Sequence, residues 1–108
     1  MYARMSTYSG DMDAFLKHFQ SVVLSLEGWD GLHHVDVLVN RESGRAVTVS
    51  VWADEAAMEA SDAGADDMRS RVTGLAGVTT EGTERFVLER RILGPAATDM
   101  RPYVATGA

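Results

Sequence analysis

The amino-acid sequence predicts an α+β domain in which two helical regions cover one face of a four-stranded antiparallel sheet. One observation is an apolar stripe at helical spacing early in the chain. The second is a pair of strands with alternating valines, joined by a glycine-containing turn. With a further helical pattern and a last strand, the element order is β-α-β-β-α-β, the ferredoxin-like or split βαβ arrangement.

The first strand is predicted from Tyr2 to Tyr8. The segment Ser9-Gly10-Asp11 then breaks the strand and offers oxygens that can cap a helix. The helix itself follows from apolar residues that recur at spacings of three and four, which form one stripe on an α-helix. They are Met12, Phe15, Leu16, Phe19, Val22, Val23 and Leu26. Gly28 is expected to end this helix.

The next two strands are predicted as a hairpin, Leu32 to Asn40 and Arg45 to Trp52. Between them, Arg41-Glu42-Ser43-Gly44 is a turn, with Gly44 suited to a positive φ and Asn40 expected to cap the turn. Three valines alternate in each strand, and β-branched residues favour strands. We expect the two triplets, at positions 35, 37, 39 and 47, 49, 51, to form one continuous surface under the helices.

The second helical region is predicted after Asp54, whose carboxylate is a good N-cap. Apolar residues follow a helical spacing from Ala57 to Leu75. The stretch Ser61 to Gly64 is a weak point where the helix is expected to kink or split. The last strand is predicted from Glu84 to Leu93.

Length and composition indicate one domain over residues 1–93, followed by a Gly-, Pro-, Ala- and Thr-rich tail over 94–108. The tail is expected to be mobile unless it packs on a partner subunit. The chain has 108 residues, a net charge of −6 and no cysteine. Nucleic acid, anionic membrane, disulfides and thiol chemistry are therefore not expected. With no leader or membrane-span pattern in the sequence, we expect a cytoplasmic location.

The sheet face away from the helices is expected to mix aromatic and polar groups. Its predicted members are Tyr2, Arg4, Ser6, Tyr8, His34, Asp36, Leu38, Asn40, Ala46, Thr48, Ser50 and Trp52. In the last strand the residues on this face are ambiguous. An alternation that places Phe86, Leu88 and Ile92 on one face competes with one that places Val87 there. A face that lacks Lys and Glu across three strands is typical of a half-covered surface. The sequence therefore predicts a homodimer with a partly polar pocket.

Two segments carry a family resemblance. The segment Val49–Ser61 has Trp52 at the end of a strand, then an acidic helix start and Ala before an apolar residue. The segment Glu27-Gly28-Trp29-Asp30-Gly31 precedes it in the chain. Together they resemble the antibiotic biosynthesis monooxygenase (ABM) family over residues 1–93, although Glu27 stands where that family commonly has Pro.

The resemblance implies a dimeric α+β barrel with one pocket per subunit. The family's activities include cofactor-independent oxygenation of aromatic polyketides, quinol oxidation and heme degradation. The heme-degrading branch uses a His and a second Trp on the second helical region. This chain has no His in 54–76, and Ser61 stands about where that Trp would be, so heme degradation is not expected.

His34 and Asp36 share a strand face at i and i+2. Such a pair could act as an oriented base, because the carboxylate raises imidazole basicity, and take a proton from an acidic C–H or a phenol. The alternative is an ion pair at the sheet edge or a hydrogen bond at an interface. His33 and His34 are neighbours on the strand and should point to opposite faces. They are therefore not expected to share a metal, and we predict no metal site.

The remaining candidate residues are expected on the same face as His34. Tyr8 is the third predicted catalytic residue, and Arg4 could hold an enolate or phenolate oxygen. Alternatively, Arg4 pairs with Asp36 or with a carboxylate of the partner chain. Trp52 either stacks on a flat ligand or locks the start of the second helix. The predicted substrate-binding residues are Trp52, Arg4, Ser50, Thr48 and Leu38.

These observations leave three functional hypotheses. The first is a cofactor-independent monooxygenase or related oxidoreductase acting on an aromatic, polyketide-like or quinol substrate. The second is a non-catalytic dimeric protein that binds a ligand or serves in a stress response. The third is a purely structural barrel dimer without an open pocket.

Overall fold

The computed structural model describes residues 1–22, 29–74 and 77–97. Its elements are β1 Tyr2–Gly10, α1 Met12–Val22, β2 Leu32–Asn40, β3 Arg45–Trp52, α2 Glu55–Ala60, α3 Asp62–Thr73 and β4 Val78–Val87. The strands form one antiparallel sheet in the order β2-β3-β1-β4. The predicted ferredoxin-like fold is confirmed. The predicted helix positions Val23, Leu26, Gly28 and Leu75, and tail residues 98–108, lie outside the described residues.

The starts of α1 and α2 are each capped by an aspartate, as predicted. Asp11 Oδ1 accepts hydrogen bonds from the backbone N–H groups of Asp13 (3.0 Å) and Ala14 (3.2 Å). Asp54 Oδ1 accepts from the N–H of Ala57 at 2.7 Å. Each carboxylate satisfies donors that a helix start leaves without an intrahelical partner. The predicted break at Ser61 is also confirmed, since it separates α2 from α3.

The hydrophobic core lies between α1 and the sheet. Phe15 is fully buried, and its ring centroid lies 5.0 Å from that of Tyr8. The other buried members are Met12, Ala46 and Val78, and Val37 and Val39 of β2 pack against them. Burial of this apolar stripe is the main force that holds α1 on the sheet. Among helices in the described residues, none is long and apolar enough to cross a membrane.

The two valine triplets lie on opposite faces of the sheet, so the prediction of one continuous valine surface is wrong. Across the hairpin, Val39 pairs with Ala46 and Leu38 pairs with Val47. Directly paired residues in an antiparallel sheet point to the same face. The β2 valines therefore face the helices together with the even-numbered residues of β3. The β3 valines point away from the helices.

The predicted phase of β1 is wrong for the same reason. Tyr8 pairs with Ala46 and Arg4 pairs with Ser50. Tyr8 packs in the core under α1, and Arg4 contacts α2 and α3. The even-numbered residues of β1 therefore face the helices, and the odd-numbered ones do not. For β2 the prediction is confirmed. His34, Asp36 and Leu38 pair directly with the β3 valines and therefore point away from the helices with them.

The last strand runs from Val78 to Val87, which corrects the predicted span of Glu84 to Leu93. Its start follows Gly77, which has a positive φ of 81°. Its end is set by β1, because Val87 pairs with Tyr2, the first residue of that strand. One further hydrogen bond follows this pair, from the Leu88 N–H to the Met1 carbonyl at 2.9 Å.

The sheet surface that points away from the helices is termed the outer face. Pairing with β1 places Phe86 and Glu84 on it, opposite Ala3 and Met5. It comprises Ala3, Met5, Thr7, His34, Asp36, Leu38, Val47, Val49, Val51, Glu84 and Phe86. The outer face is thus mainly apolar, with valines where Ala46, Thr48, Ser50 and Trp52 were predicted.

We expect the Gly10→Ala variant to lose about 2 kcal/mol or more of unfolding free energy. Gly10 has φ +127°, and an added Cβ would overlap the carbonyl oxygen of Gly77. The matched control is Gly82→Ala in β4, where a Cβ meets nothing within 4 Å. Urea denaturation should place the control within about 1 kcal/mol of wild type. Equal stability of both variants would contradict the described close approach of Gly10 to Gly77.

Candidate functional site

The predicted site residues are divided between the two faces of the sheet. His34, Asp36 and Leu38 lie on the outer face, as predicted. The others, Tyr8, Arg4, Thr48, Ser50 and Trp52, lie on the helix-facing side. The expectation that all eight share one face is therefore wrong. The cause is the phase of β1 and β3, which differs by one residue from the predicted phase.

Tyr8 belongs to the core. Its side chain is buried, and its ring is tilted against that of Phe15. It lies under α1, four residues along β1 from Arg4. Tyr8 therefore packs in the hydrophobic core and does not lie beside the other helix-facing candidates.

The other end of the helix-facing side carries a cluster of aromatic and charged residues. We call it the aromatic–arginine cluster, made of Arg4, Trp29, Trp52, Asp62 and Arg85. Trp52 is fully buried, and its ring stacks on Trp29 with centroids 5.8 Å apart. The guanidinium carbon of Arg4 lies 5.9 Å from the Trp52 ring centroid, within the range of a cation–π interaction.

The indole of Trp52 is further held by its own strand. Its Nε1–H donates to the hydroxyl of Ser50 at 2.9 Å. On the far side of the pair, Trp29 lies against Gly64 of α3, where an added Cβ would come within 3.0 Å of the indole ring. The Trp52 side chain therefore has little freedom to turn. Both predicted roles, as the wall of a ligand site or as the residue that locks the start of α2, require such a fixed side chain.

Arg4 joins the sheet to the junction between α2 and α3. One Nη donates to the Ser61 hydroxyl at 3.2 Å, and the other donates to the Met58 carbonyl at 2.8 Å. Arg4 also forms an ion pair with Asp62. The side chain is only 5% exposed, so these charge-assisted contacts are needed to offset its desolvation. Within the chain, Arg4 thus pairs with the carboxylate of Asp62 and not with that of Asp36, which lies on the other face of the sheet.

Asp62 holds two arginines at once. Its second carboxylate oxygen pairs with Arg85 of β4, which lies directly opposite Arg4 in the sheet. Arg85 differs from Arg4 in being 48% exposed. The cluster therefore has one buried and one solvent-accessible guanidinium, with a single carboxylate between them. Its net charge is positive.

A row of hydroxyl groups separates this cluster from the apolar core. Thr48, Ser6 and Thr83 are paired across three adjacent strands on the helix-facing side. Ser6 is buried, and its hydroxyl lies 3.2 Å from that of Thr83. The helix-facing surface thus changes from apolar under α1, through hydroxyls, to aromatic and cationic under α2 and α3.

His34 lies on the outer face of the sheet, where Asp36, His33 and Arg91 influence its charge. Its Nε2 is 3.6 Å from Asp36 Oδ2, so the predicted pairing of these residues is confirmed. Burial lowers the pKa of His34 below its ordinary value of 6.5. The Asp36 carboxylate raises the pKa, and the charges of His33 and Arg91 lower it. The net direction is downward, because burial outweighs the predicted upward effect of the Asp36 carboxylate.

The family is settled by the sequence match. A model of the antibiotic biosynthesis monooxygenase family matches residues 1–66, more than half of the chain. The chain belongs to this family. The match includes Arg4, Trp29, Trp52 and Asp62, and it ends before Arg85.

The curated relatives that the chain matches are longer than the chain itself. Rv2557, an uncharacterized protein of Mycobacterium tuberculosis, is 35% identical over 83 residues. These residues are 73% of this chain and 37% of that protein. The chain therefore spans about 37% of the length of the curated relatives it matches.

Two solved ABM-like structures share the fold. One is SnoaB, a cofactor-independent oxygenase from Streptomyces nogalater, with a TM-score of 0.68 and 18% identity over 84% of this chain and 95% of that chain. The other is the monooxygenase from the gene ActVA-Orf6 of Streptomyces coelicolor, in complex with the ligand Nanaomycin D. Its TM-score is 0.66, with 13% identity over 86% of this chain and 91% of that chain. At these identities the likeness shows the fold alone.

Three members of the aromatic–arginine cluster were not predicted as site residues. Asp62 and Arg85 are ordinary charged residues in the sequence, and their pairing depends on how α3 docks on the sheet. Trp29 was noted only for the family resemblance. Gly64 was a usable signal, because a glycine inside a helix marks a place where another group approaches closely.

Replacing Asp62 with Asn should lower the free energy of unfolding by about 1–3 kcal/mol, because it leaves the buried Arg4 without its counter-charge. The matched control is Asp67→Asn, which removes the partner of Arg71 from an exposed ion pair at 3.1 Å. That change should cost less than about 0.5 kcal/mol. Urea denaturation followed by circular dichroism measures both. The description of Asp62 fails if the two variants are equally stable.

NMR titration of the imidazole signals should give His34 a pKa below 6.5. Asp36→Asn should lower this pKa further, since the carboxylate favours the protonated ring. Arg91→Gln should raise it, since a positive charge is removed. A rise in the Asp36→Asn variant would contradict the described surroundings of His34.

Proposed function

We propose that this ABM-family chain is a cofactor-independent oxygenase of an aromatic, polyketide-like or quinol substrate, active as a homodimer. The substrate binds on the helix-facing side of the sheet, against Trp52 and the neighbouring hydroxyl groups. Arg85 and Arg4 stabilise a negatively charged oxygen of the substrate. The fold shared with SnoaB, a cofactor-independent oxygenase, supports the reaction class.

The observation that carries the proposal is the aromatic–arginine cluster. A small domain gains stability most simply by filling its interior with apolar side chains, and buried charge is costly even when paired. Here the interior under α2 and α3 instead holds Arg4, Ser50 and Trp52. Aromatic faces with nearby donors are suited to bind a flat, oxygen-bearing ligand.

The proposed chemistry uses the positive charge of this cluster. A phenol, quinol or acidic C–H next to a carbonyl loses its proton to solvent water more readily when a guanidinium stabilises the anion. A carbanion then adds molecular oxygen to form a C–O bond, and the resulting peroxide takes up a proton and loses water to leave a C=O group. A quinol anion instead passes two electrons to oxygen and gives a quinone and hydrogen peroxide. Arg85 is the better candidate for this contact, because it is half-exposed and carries one described ion pair. Arg4 would act mainly by its fixed charge.

The proposed roles of His34 and Asp36 require a substrate on the outer face. Within one protomer the sheet separates them from the aromatic–arginine cluster. They cannot take a proton from a substrate that lies against Trp52. Substitutions on the two faces therefore distinguish a substrate bound by the cluster from one bound beside His34.

One observation favours the alternative, a dimeric ligand-binding protein without catalysis. The carboxylate in the cluster, Asp62, is paired with two arginines. A carboxylate between two positive charges is a poor proton acceptor. In this alternative the same surface binds an aromatic anion, and nothing is oxidised.

The homodimer is proposed from the outer face. Leu38 is 53% exposed and Phe86 is 41% exposed, and Met5, Val47 and Val49 between them are half-buried. A β-sheet face this rich in β-branched residues is normally covered. A second copy of the chain offers an equivalent apolar sheet, which agrees with the dimeric barrel implied by the family.

Oxygen uptake in the presence of anthrone or a hydroquinone tests the activity, with chelator present and no flavin added. We expect uptake by the wild type. Arg85→Gln should lower kcat/KM by roughly 10–100-fold, because a charged hydrogen bond contributes about 1.5–3 kcal/mol. The matched control is Arg41→Gln, whose side chain is 50% exposed and paired with Asp13. The control should stay within about twofold of wild type.

The outcomes separate the two candidate functions. A ligand-induced rise in melting temperature without oxygen uptake supports the binding protein. If oxygen uptake persists in Arg85→Gln but is lost in His34→Ala, the substrate binds on the outer face. That result would overturn the proposed site.

Val49→Asp should convert the dimer to a monomer, because it places a carboxylate in the centre of the outer face. The control is Ala56→Asp, on the exposed side of α2. Size-exclusion chromatography with light scattering, at micromolar concentration, measures both. A wild type that runs as a monomer, or a Val49→Asp variant that remains a dimer, would contradict the proposed interface.

A further inference from the structure

The two neighbouring histidines of β2 meet, although a regular strand would point them to opposite faces. The pairing of β2 with β3 is irregular here, since Leu32 pairs with Trp52 and His34 pairs with Val51. His33 is the extra residue, and an extra residue in a strand interrupts the alternation of side chains. The Nδ1 atoms of His33 and His34 consequently lie 2.6 Å apart. The expectation that the two rings point to opposite faces and so lie apart is therefore wrong.

Two imidazole nitrogens that face each other at this distance need a hydrogen or a metal ion between them. When both rings are neutral acceptors, their lone pairs repel, so in the absence of a metal one proton lies between them. A transition-metal ion can take the place of that proton, because imidazole nitrogen is a preferred ligand of Cu²⁺, Ni²⁺ and Zn²⁺.

The required movement is small. Two metal–nitrogen bonds of about 2.0–2.1 Å at an angle of 90–110° hold the nitrogens roughly 2.9–3.4 Å apart. The described distance is 2.6 Å, and the rings already meet at a steep angle of 71°. His33 is exposed, so its ring can turn to open the gap.

Asp36 provides the outer support that metal-binding histidines usually have. The second nitrogen of His34, Nε2, lies 3.6 Å from Asp36 Oδ2. At this distance the contact is electrostatic, and it favours the tautomer with the hydrogen on Nε2, which leaves His34 Nδ1 as an acceptor. In that tautomer Nδ1 accepts the hydrogen shared with His33, and a metal ion would replace that hydrogen.

We propose that His33 and His34 form a two-ligand site for a divalent transition-metal ion, with Asp36 orienting His34 and water completing the coordination. No cluster of three or more metal-binding side chains occurs in the described part of the chain, so the protein supplies two ligands. Cu²⁺ should bind most tightly, in keeping with the general affinity order of divalent metals. The site lies at the start of the edge strand β2, separated by the sheet from the aromatic–arginine cluster, and does not depend on the proposed oxygenase activity.

The test is a Cu²⁺ titration of the full chain without a histidine tag. Calorimetry should give one ion per chain, and electron paramagnetic resonance should show coupling to two imidazole nitrogens. His33→Ala and His34→Ala should each weaken binding at least about tenfold, and Asp36→Asn should weaken it by a similar or smaller factor. The control is His18→Gln on α1, which should bind Cu²⁺ as the wild type does.

Cu²⁺ should also raise the melting temperature of the wild type and leave that of His33→Ala unchanged. Circular dichroism checks that each variant is folded, and the nitrogen coupling in the wild type does not depend on any variant. Equal affinity in the wild type and His33→Ala, or a copper signal that survives in the double His33→Ala, His34→Ala variant, means an adventitious ion only and overturns the proposal.

Discussion

The register between β1 and β3, the two central strands, determines what each face of the sheet can do. Tyr8 opposite Ala46 and Arg4 opposite Ser50 turn the even-numbered residues of both strands toward the helices. Because side chains alternate along a strand, this one choice places the tryptophan, arginine and hydroxyl residues inside and the valines outside. A shift of one residue would exchange the two surfaces.

The order of helices and strands could be predicted from the sequence. Which strand residues face the helices could not. Both strands of the hairpin and both aspartate caps were predictable from local patterns. The error arose from placing the two valine triplets on one surface. The four-residue turn between Asn40 and Arg45 already requires that odd-numbered residues of β2 pair with even-numbered residues of β3. Counting the turn would have placed the triplets on opposite faces.

Other features depend on contacts that no local pattern contains. The end of β4 is set by the start of β1, since Val87 pairs with Tyr2. Asp62 and Arg85 become partners only when α3 docks beside β4. The contact between His33 and His34 depends on one extra residue in β2. Tertiary docking and a register irregularity are not visible in local sequence patterns, so neither the Asp62–Arg85 pair nor the histidine contact was predicted.

The β2 valines face α1, and we propose that the β3 valines face a second copy of the chain. Isotope-filtered NMR on dimers formed from one labelled and one unlabelled protomer tests this most directly. The account predicts contacts between Val49 methyl groups and the unlabelled protomer, and contacts of Val37 with Phe15 within the same protomer. Contacts between Val49 and Phe15, or an absence of any signal between protomers, would contradict it.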